Sequence, residues 1–262
     1  MKKIYLILFI FLFSKVISAP VGNPFNPTLI EQGFFISPSS IVNFRVGYEG
    51  NFVNDSKFKK SLNEKSKIDD FEQDINSGTF TLNFQNRLDV LTSLGASRIK
   101  SNWRFDESDV SKRIELETNY RFYYALAARV ILFEWGNTAL GAGGRFSKTK
   151  PSIFWLLKDG TPQDENEADI NYKDWQIDLG LSHKIDIFVP YIGIKYLDAK
   201  AKIMNVNTII SENDLNFIKM KSRNKFGLYL GTSLSNSKYF LLTIEARLID
   251  EEAISIFGEL KF

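Results

Sequence analysis

The 262 residues carry 33 Lys+Arg against 31 Asp+Glu, a balance that disfavours a basic nucleic-acid binder. There is no cysteine, which removes disulfides, thiolate metal sites and Cys nucleophiles from consideration. Length admits one large β domain or two ordinary globular ones, so the class has to come from pattern.

The chain opens with Lys2 and Lys3, an unbroken apolar run from Ile4 to Phe13, and a small-residue cleavage site at Val16-Ile17-Ser18. That is the layout of a secretory signal peptide over 1–18, because about ten apolar residues fall short of the ~20 that cross a bilayer as a helix. Cleavage after Ser18 is preferred to cleavage after Ala19, which would leave Pro20 just past the scissile bond. Losing Lys2, Lys3 and Lys15 takes the formal charge from +2 to −1 and leaves 19–262 as one β domain.

Strict apolar/polar alternation then recurs along the chain, and a period of two predicts strands. It begins at Val42, Phe44, Val46 and Tyr48, separated by Asn43, Arg45 and Gly47 and followed by Glu49. Phe80, Leu82 and Phe84 alternate with Thr81 and Asn83, and Leu88, Val90, Thr92 and Leu94 resume after a turn at Gln85-Asn86-Arg87. The longest run goes from Ile114 to Leu132 and is expected to keep Ile114, Leu116, Tyr120, Phe122, Tyr124 and Leu126 on one face, against Arg113, Glu115, Arg121 and Arg129. Such a run exceeds the ~5–6 residues of a soluble strand and suits a tilted strand that crosses a membrane and continues beyond it. Leu140 to Phe146, Trp175 to Leu181, Ile192 to Tyr196, Phe226 to Leu230 and Phe240 to Leu248 alternate in the same way.

Short connections near 85–87, 135–137, 185–188 and 235–238 alternate with longer polar ones near 54–78, 103–112, 151–168 and 204–220. Unequal loops on the two sides are the layout of a transmembrane antiparallel up-and-down β-barrel with its short turns in the periplasm. The count is about ten strands, with twelve the alternative if 54–78 holds a hairpin. A soluble sandwich explains the alternation but neither the leader nor the unequal loops. The last strand, Ile254, Ile256, Gly258, Leu260 and Phe262 against Ser255, Glu259 and Lys261, ends on an aromatic residue. That ending resembles the signal read by the outer-membrane barrel assembly machinery, which is therefore an expected partner alongside outer-membrane lipid.

Chemistry-bearing motifs are sparse. His183 has no local triad or ligand partner and reads as a strand-end residue. Asp164, Glu165, Glu167 and Asp169 supply hard oxygens but fit no cation-loop spacing, and read, like Asp69, Asp70 and Glu72, as a solvated loop face. Gly141, Gly143 and Gly144 lack the Lys-Ser/Thr of a phosphate loop and read as a place of close packing in a strand. No catalytic residue, metal or cofactor is expected, nor any nucleic-acid partner.

Several blocks resemble the chlamydial major outer membrane protein family of porins. They are Pro20-Val21-Gly22-Asn23-Pro24, Phe44 to Val53, Asn86 to Val90 with Leu94 to Ser97, Ala128 to Ala142, Asp174-Trp175-Gln176 leading to Pro190 to Lys195, Lys219 to Arg223, and Glu245 to Glu251. The resemblance runs through nearly the whole chain in order and is densest from about 170 onward. It implies a short, cysteine-free, divergent member in the outer membrane of a Gram-negative, chlamydia-like bacterium. It also implies a trimer and passive diffusion of ions and small hydrophilic solutes. The inward charges expected to line the pore are Arg45, Glu49, Arg121, Arg129, Arg145, Asp174, Asp178, Lys195, Glu245 and Arg247, with Asp89, Lys225, Glu259 and Lys261 on the same face. The alternative is a structural or adhesin-type barrel whose charges pair across a narrow lumen and close it, since about eight strands are filled by their own side chains.

Overall fold

The computed structural model describes residues 22–30, 33–34, 40–60, 67–107, 110–164, 168–205, 217–236 and 238–262. The expected leader 1–18 lies outside them. A single helical turn, α1 (Asn26–Leu29), precedes fifteen strand segments. These are β1 (Val42–Ser56), β2 (Phe58–Lys60), β3 (Lys67–Phe84), β4 (Leu88–Glu107), β5 (Val110–Thr118), β6 (Arg121–Trp135), β7 (Thr138–Thr149) and β8 (Ile153–Lys158). They continue as β9 (Thr161–Pro162), β10 (Asp169–His183), β11 (Phe188–Met204), β12 (Phe217–Ser222), β13 (Phe226–Ser235), β14 (Phe240–Leu248) and β15 (Glu251–Lys261).

Five pairs of segments, β1/β2, β5/β6, β7/β8, β9/β10 and β12/β13, each form one interrupted stave, so the wall is a closed antiparallel barrel of ten strands. Closure is made by β15 against β1, with Val46 opposite Leu260 and Phe52 opposite Ile254. The alternative of twelve is not taken up, because much of 54–78 extends β1, β2 and β3 and adds no further stave. Its outward charges are satisfied across the sheet, as where Asp74 accepts from Arg98 at 2.6 Å, while Phe71, Gln73 and Ile75 are buried inside.

One end carries the tight turns. Gln85 and Asn86 (φ 51° and 53°), Gly136 (58°) and Asp186 (57°) adopt the left-handed backbone that reverses a strand within few residues. The C-terminus and the start of β1 lie at this end. At the other end β14 and β15 turn early, at Ile249–Asp250, and β2 pairs directly with β12 above them, Lys59 opposite Lys221. Ten staves less these two leave eight to close the upper barrel.

On some staves the alternation changes parity. Between Ser97 and Lys100 on β4 there are three steps, but between the paired Arg121 and Glu117 there are four. The extra residue is a β-bulge, and it switches which side chains point inward. Above it Ile114, Leu116 and Thr118 are buried inside; below it Tyr123, Ala125, Arg129 and Ile131 are. This corrects the expectation that Ile114 and Leu116 share a face with Phe122 and Leu126, which point outward. The register shift between Val53 and Asp55 does the same to β1, burying Val53 below and Ser56 and Phe58 above.

Two surfaces result. Below the bulges Val46, Phe80, Leu94, Leu126, Ile192, Leu230, Ile244 and Ile256 face outward, a band with aromatic edges as a bilayer requires. Phe262 stacks on Phe44 at 6.0 Å at its lower edge, and Trp175 meets Tyr196 at 5.2 Å at its upper edge. Above the bulges the outside is charged, and the inside is one apolar core including Phe71, Trp103, Ile114, Leu156, Ile203 and Met220.

Candidate functional site

The lumen is where the fold gathers its polar groups, and it is filled at three levels. At the upper level the apolar core occupies the eight-stave section, matching the width at which side chains alone fill a barrel.

The middle level is a network of opposed charges. Arg45 lies between Asp89 and Glu259, the latter at 3.3 Å, and Arg129 approaches Asp89 at 3.8 Å. Arg145 binds Glu49 at 2.6 Å and donates to the Tyr123 hydroxyl at 3.0 Å. Lys195 holds Asp250 at 2.9 Å and also Glu251, while Arg247 reaches Glu251 at 3.2 Å and binds Asn51. Asp174 accepts from Ser147 Oγ at 2.8 Å. Isolated charges in such a place would cost several kcal/mol each, so partners of opposite sign are what allow these residues inside. The space left between Glu49, Arg129, Arg145, Asp178 and Glu245 is a cavity of about 20 Å³, room for roughly one water.

The lower level is the N-terminal segment, which lies within the barrel. Gly22 N donates to Glu245 at 2.8 Å, Asn23 Nδ2 to the Val189 carbonyl at 2.8 Å, and Arg45 to the Asn26 carbonyl at 2.8 Å. Asn83 caps the Pro27 carbonyl at 3.0 Å, Ser235 the Leu29 carbonyl at 2.7 Å, and Lys261 the Ile30 carbonyl at 2.8 Å. The wall thus supplies donors to a backbone that has no strand partner of its own. Phe25, Leu29 and Ile30 pack on Ile131, Ala139, Val189 and Leu241, worth about 1.5–3 kcal/mol for each large side chain. A side chain at Gly141 or Gly180 would come within 3.0 Å of Pro24, so these two inward glycines cut the slot that the proline fills.

Of the ten residues expected inside, Arg45, Glu49, Arg129, Arg145, Asp174, Lys195, Glu245 and Arg247 are buried in this interior, with Asp89, Glu259 and Lys261. Asp178 is half-buried and borders the small cavity, where its carboxylate takes the space a side chain at Gly143 would need. Arg121 is a correction. It sits at the bulge, exposed, because the extra residue there interrupts the alternation that would have turned it inward. Lys225 is another, lying on the outer wall 2.7 Å from Asp198 and 5.5 Å above the Tyr196 ring. His183 ends its strand beside Thr138 Oγ1 at 2.8 Å. Asp169 pairs with Lys150 at 2.8 Å, and residues 165–167 lie outside the described residues. Among the described residues no group of three metal-type ligands converges.

Sequence reasoning missed the N-terminal segment and the acids Asp250 and Glu251, none of which alternates. The available signal was Asn23-Pro24-Phe25-Asn26-Pro27 followed by Leu29 and Ile30, too stiff and too apolar for a free linker.

A family model described as Chlamydia major outer membrane protein matches residues 157–209 and 198–262. The serovar D major outer membrane porin of Chlamydia trachomatis is 24% identical over 380 aligned positions, covering 95% of this chain and 96% of the relative; the serovar H protein is 25% identical with the same coverage. Since 380 positions exceed the 262 residues present, the relatives carry insertions that this chain lacks. Among solved structures, the outer membrane protease OmpT of Escherichia coli superposes with a TM-score of 0.45 at 11% identity, covering 84% of this chain and 94% of that one.

Proposed function

The chain belongs to the chlamydial major outer membrane protein family as a divergent, cysteine-free member, and we propose that it is a porin-type outer-membrane barrel that is shut at rest. In this reading ions and small hydrophilic solutes pass only when the N-terminal segment has left the lumen and the upper core has parted. The observation that carries it is the filled lumen. The cavity among Glu49, Arg129 and Arg145 is about 20 Å³, smaller than a hydrated ion needs, and Gly22 of the N-terminal segment lines it and is bound to Glu245, which supports the reading. That segment is lodged in the wall by side-chain and backbone hydrogen bonds and by packing, without joining the sheet, so it can leave without breaking a strand pairing. No catalytic step or cofactor belongs to the proposal.

Planar-bilayer recording of refolded protein tests it. The intact chain is expected to be nearly silent with rare brief steps, and deletion of 22–30 to make those steps more frequent, each lasting only while the upper core stays parted. Silence of both proteins, with β circular dichroism and heat-modifiable migration intact, would remove diffusion. It would leave the second reading, a closed barrel that acts through its outer surface, which the apolar upper core favours.

A further inference from the structure

Four lysines stand side by side across four neighbouring strands on the outer wall. Lys173 of β10 is opposite Lys200 of β11, Lys200 is opposite Lys221 of β12, and Lys221 is opposite Lys59 of β2. At about 4.8 Å between strands the row is about 14 Å long. A second row follows beyond it, Asn171, Lys202 and Lys219. Like charges directly opposite one another weaken a sheet.

Elsewhere on the protruding wall cations have acids of their own. On β4 and β5 Arg104 is also opposite a cation, Arg113, but Arg104 binds Asp69 at 2.7 Å and Arg113 binds Glu115 at 3.1 Å, and Arg98 has Asp74 at 2.6 Å and Glu117 at 3.0 Å. In the lysine row Lys200 has Asp198 at 3.1 Å, an acid already shared with Lys225, whereas Lys59, Lys173 and Lys221 make no ion pair among the described residues.

The level of the row identifies what is missing. Trp175, Tyr196 and Phe226 form a continuous outward aromatic cluster, with centroids 5.2 Å apart at each contact, and such rings mark the boundary of the apolar band. Lys173 is the next outward position after Trp175, ~7 Å further along the strand. Ammonium groups on flexible stems at that height sit among lipid headgroups.

We propose that the row binds the phosphate groups of an outer-leaflet lipid, one phosphorylated headgroup lying along Lys59, Lys221, Lys200 and Lys173. The lysines stand on strands beside the apolar band, not at the loop tips, which is the placement for an occupant whose tails share that band. The inference rests on placement of the barrel in the outer membrane and is independent of conduction.

Native mass spectrometry of the refolded chain in detergent tests it, with diphosphoryl lipid A, its dephosphorylated form and a heparin fragment as probes. Retention of diphosphoryl lipid A is expected, at least ten-fold weaker for the dephosphorylated form and for K59Q/K173Q/K221Q. The variant K100Q/R104Q/R113Q, from the charge-paired sector, is expected to bind as the unaltered protein does. K221Q alone, expected to weaken binding about three-fold, covers the case in which the triple variant fails to fold. Without lipid, the triple variant is expected to melt no lower than the parent, because it relieves repulsion. Equal retention of lipid A by the lysine variants overturns the proposal. So does heparin binding through these lysines without lipid A binding, which would assign the row to a soluble polyanion.

Discussion

The membrane half and the protruding half of the barrel are built from the same staves with opposite kinds of side chain inward. Below the bulges the lumen holds Arg45, Asp89, Glu49 and Arg145 and the outside is apolar; above them the lumen holds Phe71, Trp103 and Ile114 and the outside is charged. The difference follows the solvent. In the bilayer the outward side chain meets hydrocarbon and polar groups have only the lumen, whereas above it water takes the outside and the hydrophobic effect fills the interior. On β5/β6 and β1/β2 a single extra residue changes the parity of the alternation, whereas β3, β4 and β11 keep one face inward throughout and make the change by composition alone.

The sharpest way to break this comparison is to remove one charge from the lower lumen. Arg145→Leu leaves Glu49 buried without its cation and is expected to cost about 3–5 kcal/mol, most of it recovered when Glu49→Leu is added. Denaturant titration followed by heat-modifiable migration reads both variants. In the upper lumen the same kind of position tolerates no charge but needs volume. Leu116→Ala is expected to cost about 2–5 kcal/mol, and limited proteolysis should show cleavage in the protruding strands while the membrane half resists.

The outer face gives a smaller, opposite pair of effects. Ile192 is 57% exposed in the middle of the apolar band, so Ile192→Lys is expected to cost about 2–4 kcal/mol in lipid. Glu72, outward above the band, is expected to accept isoleucine within about 0.5 kcal/mol. Refolding yields into vesicles compare the two. Asn23→Ala removes donors to Val189 and Ser233 and the acceptor for Phe25 N. It is expected to loosen the lodged segment by about 1–2 kcal/mol, seen as faster amide exchange at Phe25 with exchange in β4 unchanged.

The least effect is expected from mild acid at the boundary between the halves. Burial alone would raise the Asp198 carboxyl, but hydrogen bonds from Lys225, Lys200 and Trp175 outweigh it and hold the group below its ordinary value. A depressed folded pKa gives stability that is present above the unfolded pKa and lost as pH falls through the folded one. The Trp175 indole resonance, donated to Asp198 at 3.1 Å, is therefore expected to stay fixed from neutral pH down to about pH 4 and to move only in stronger acid.

Alternation, joined to the leader and the unequal connections, pointed by itself to the barrel, to about ten staves with twelve left open, to the side that carries the tight turns and to most of the buried charges, because a period of two is a local property that each strand displays alone. It placed Lys195 and Glu245 inside without knowing their partners. It misplaced Ile114, Leu116, Arg121 and Lys225, since one inserted residue changes the parity of a strand without altering its composition. Tertiary structure alone decided that β14 and β15 stop short, that the upper barrel is filled by its own side chains, and that Asn23 to Ile30 lie in the lumen. Those outcomes depend on the width that the assembled staves enclose and on which donors the wall then presents to a segment far away in sequence.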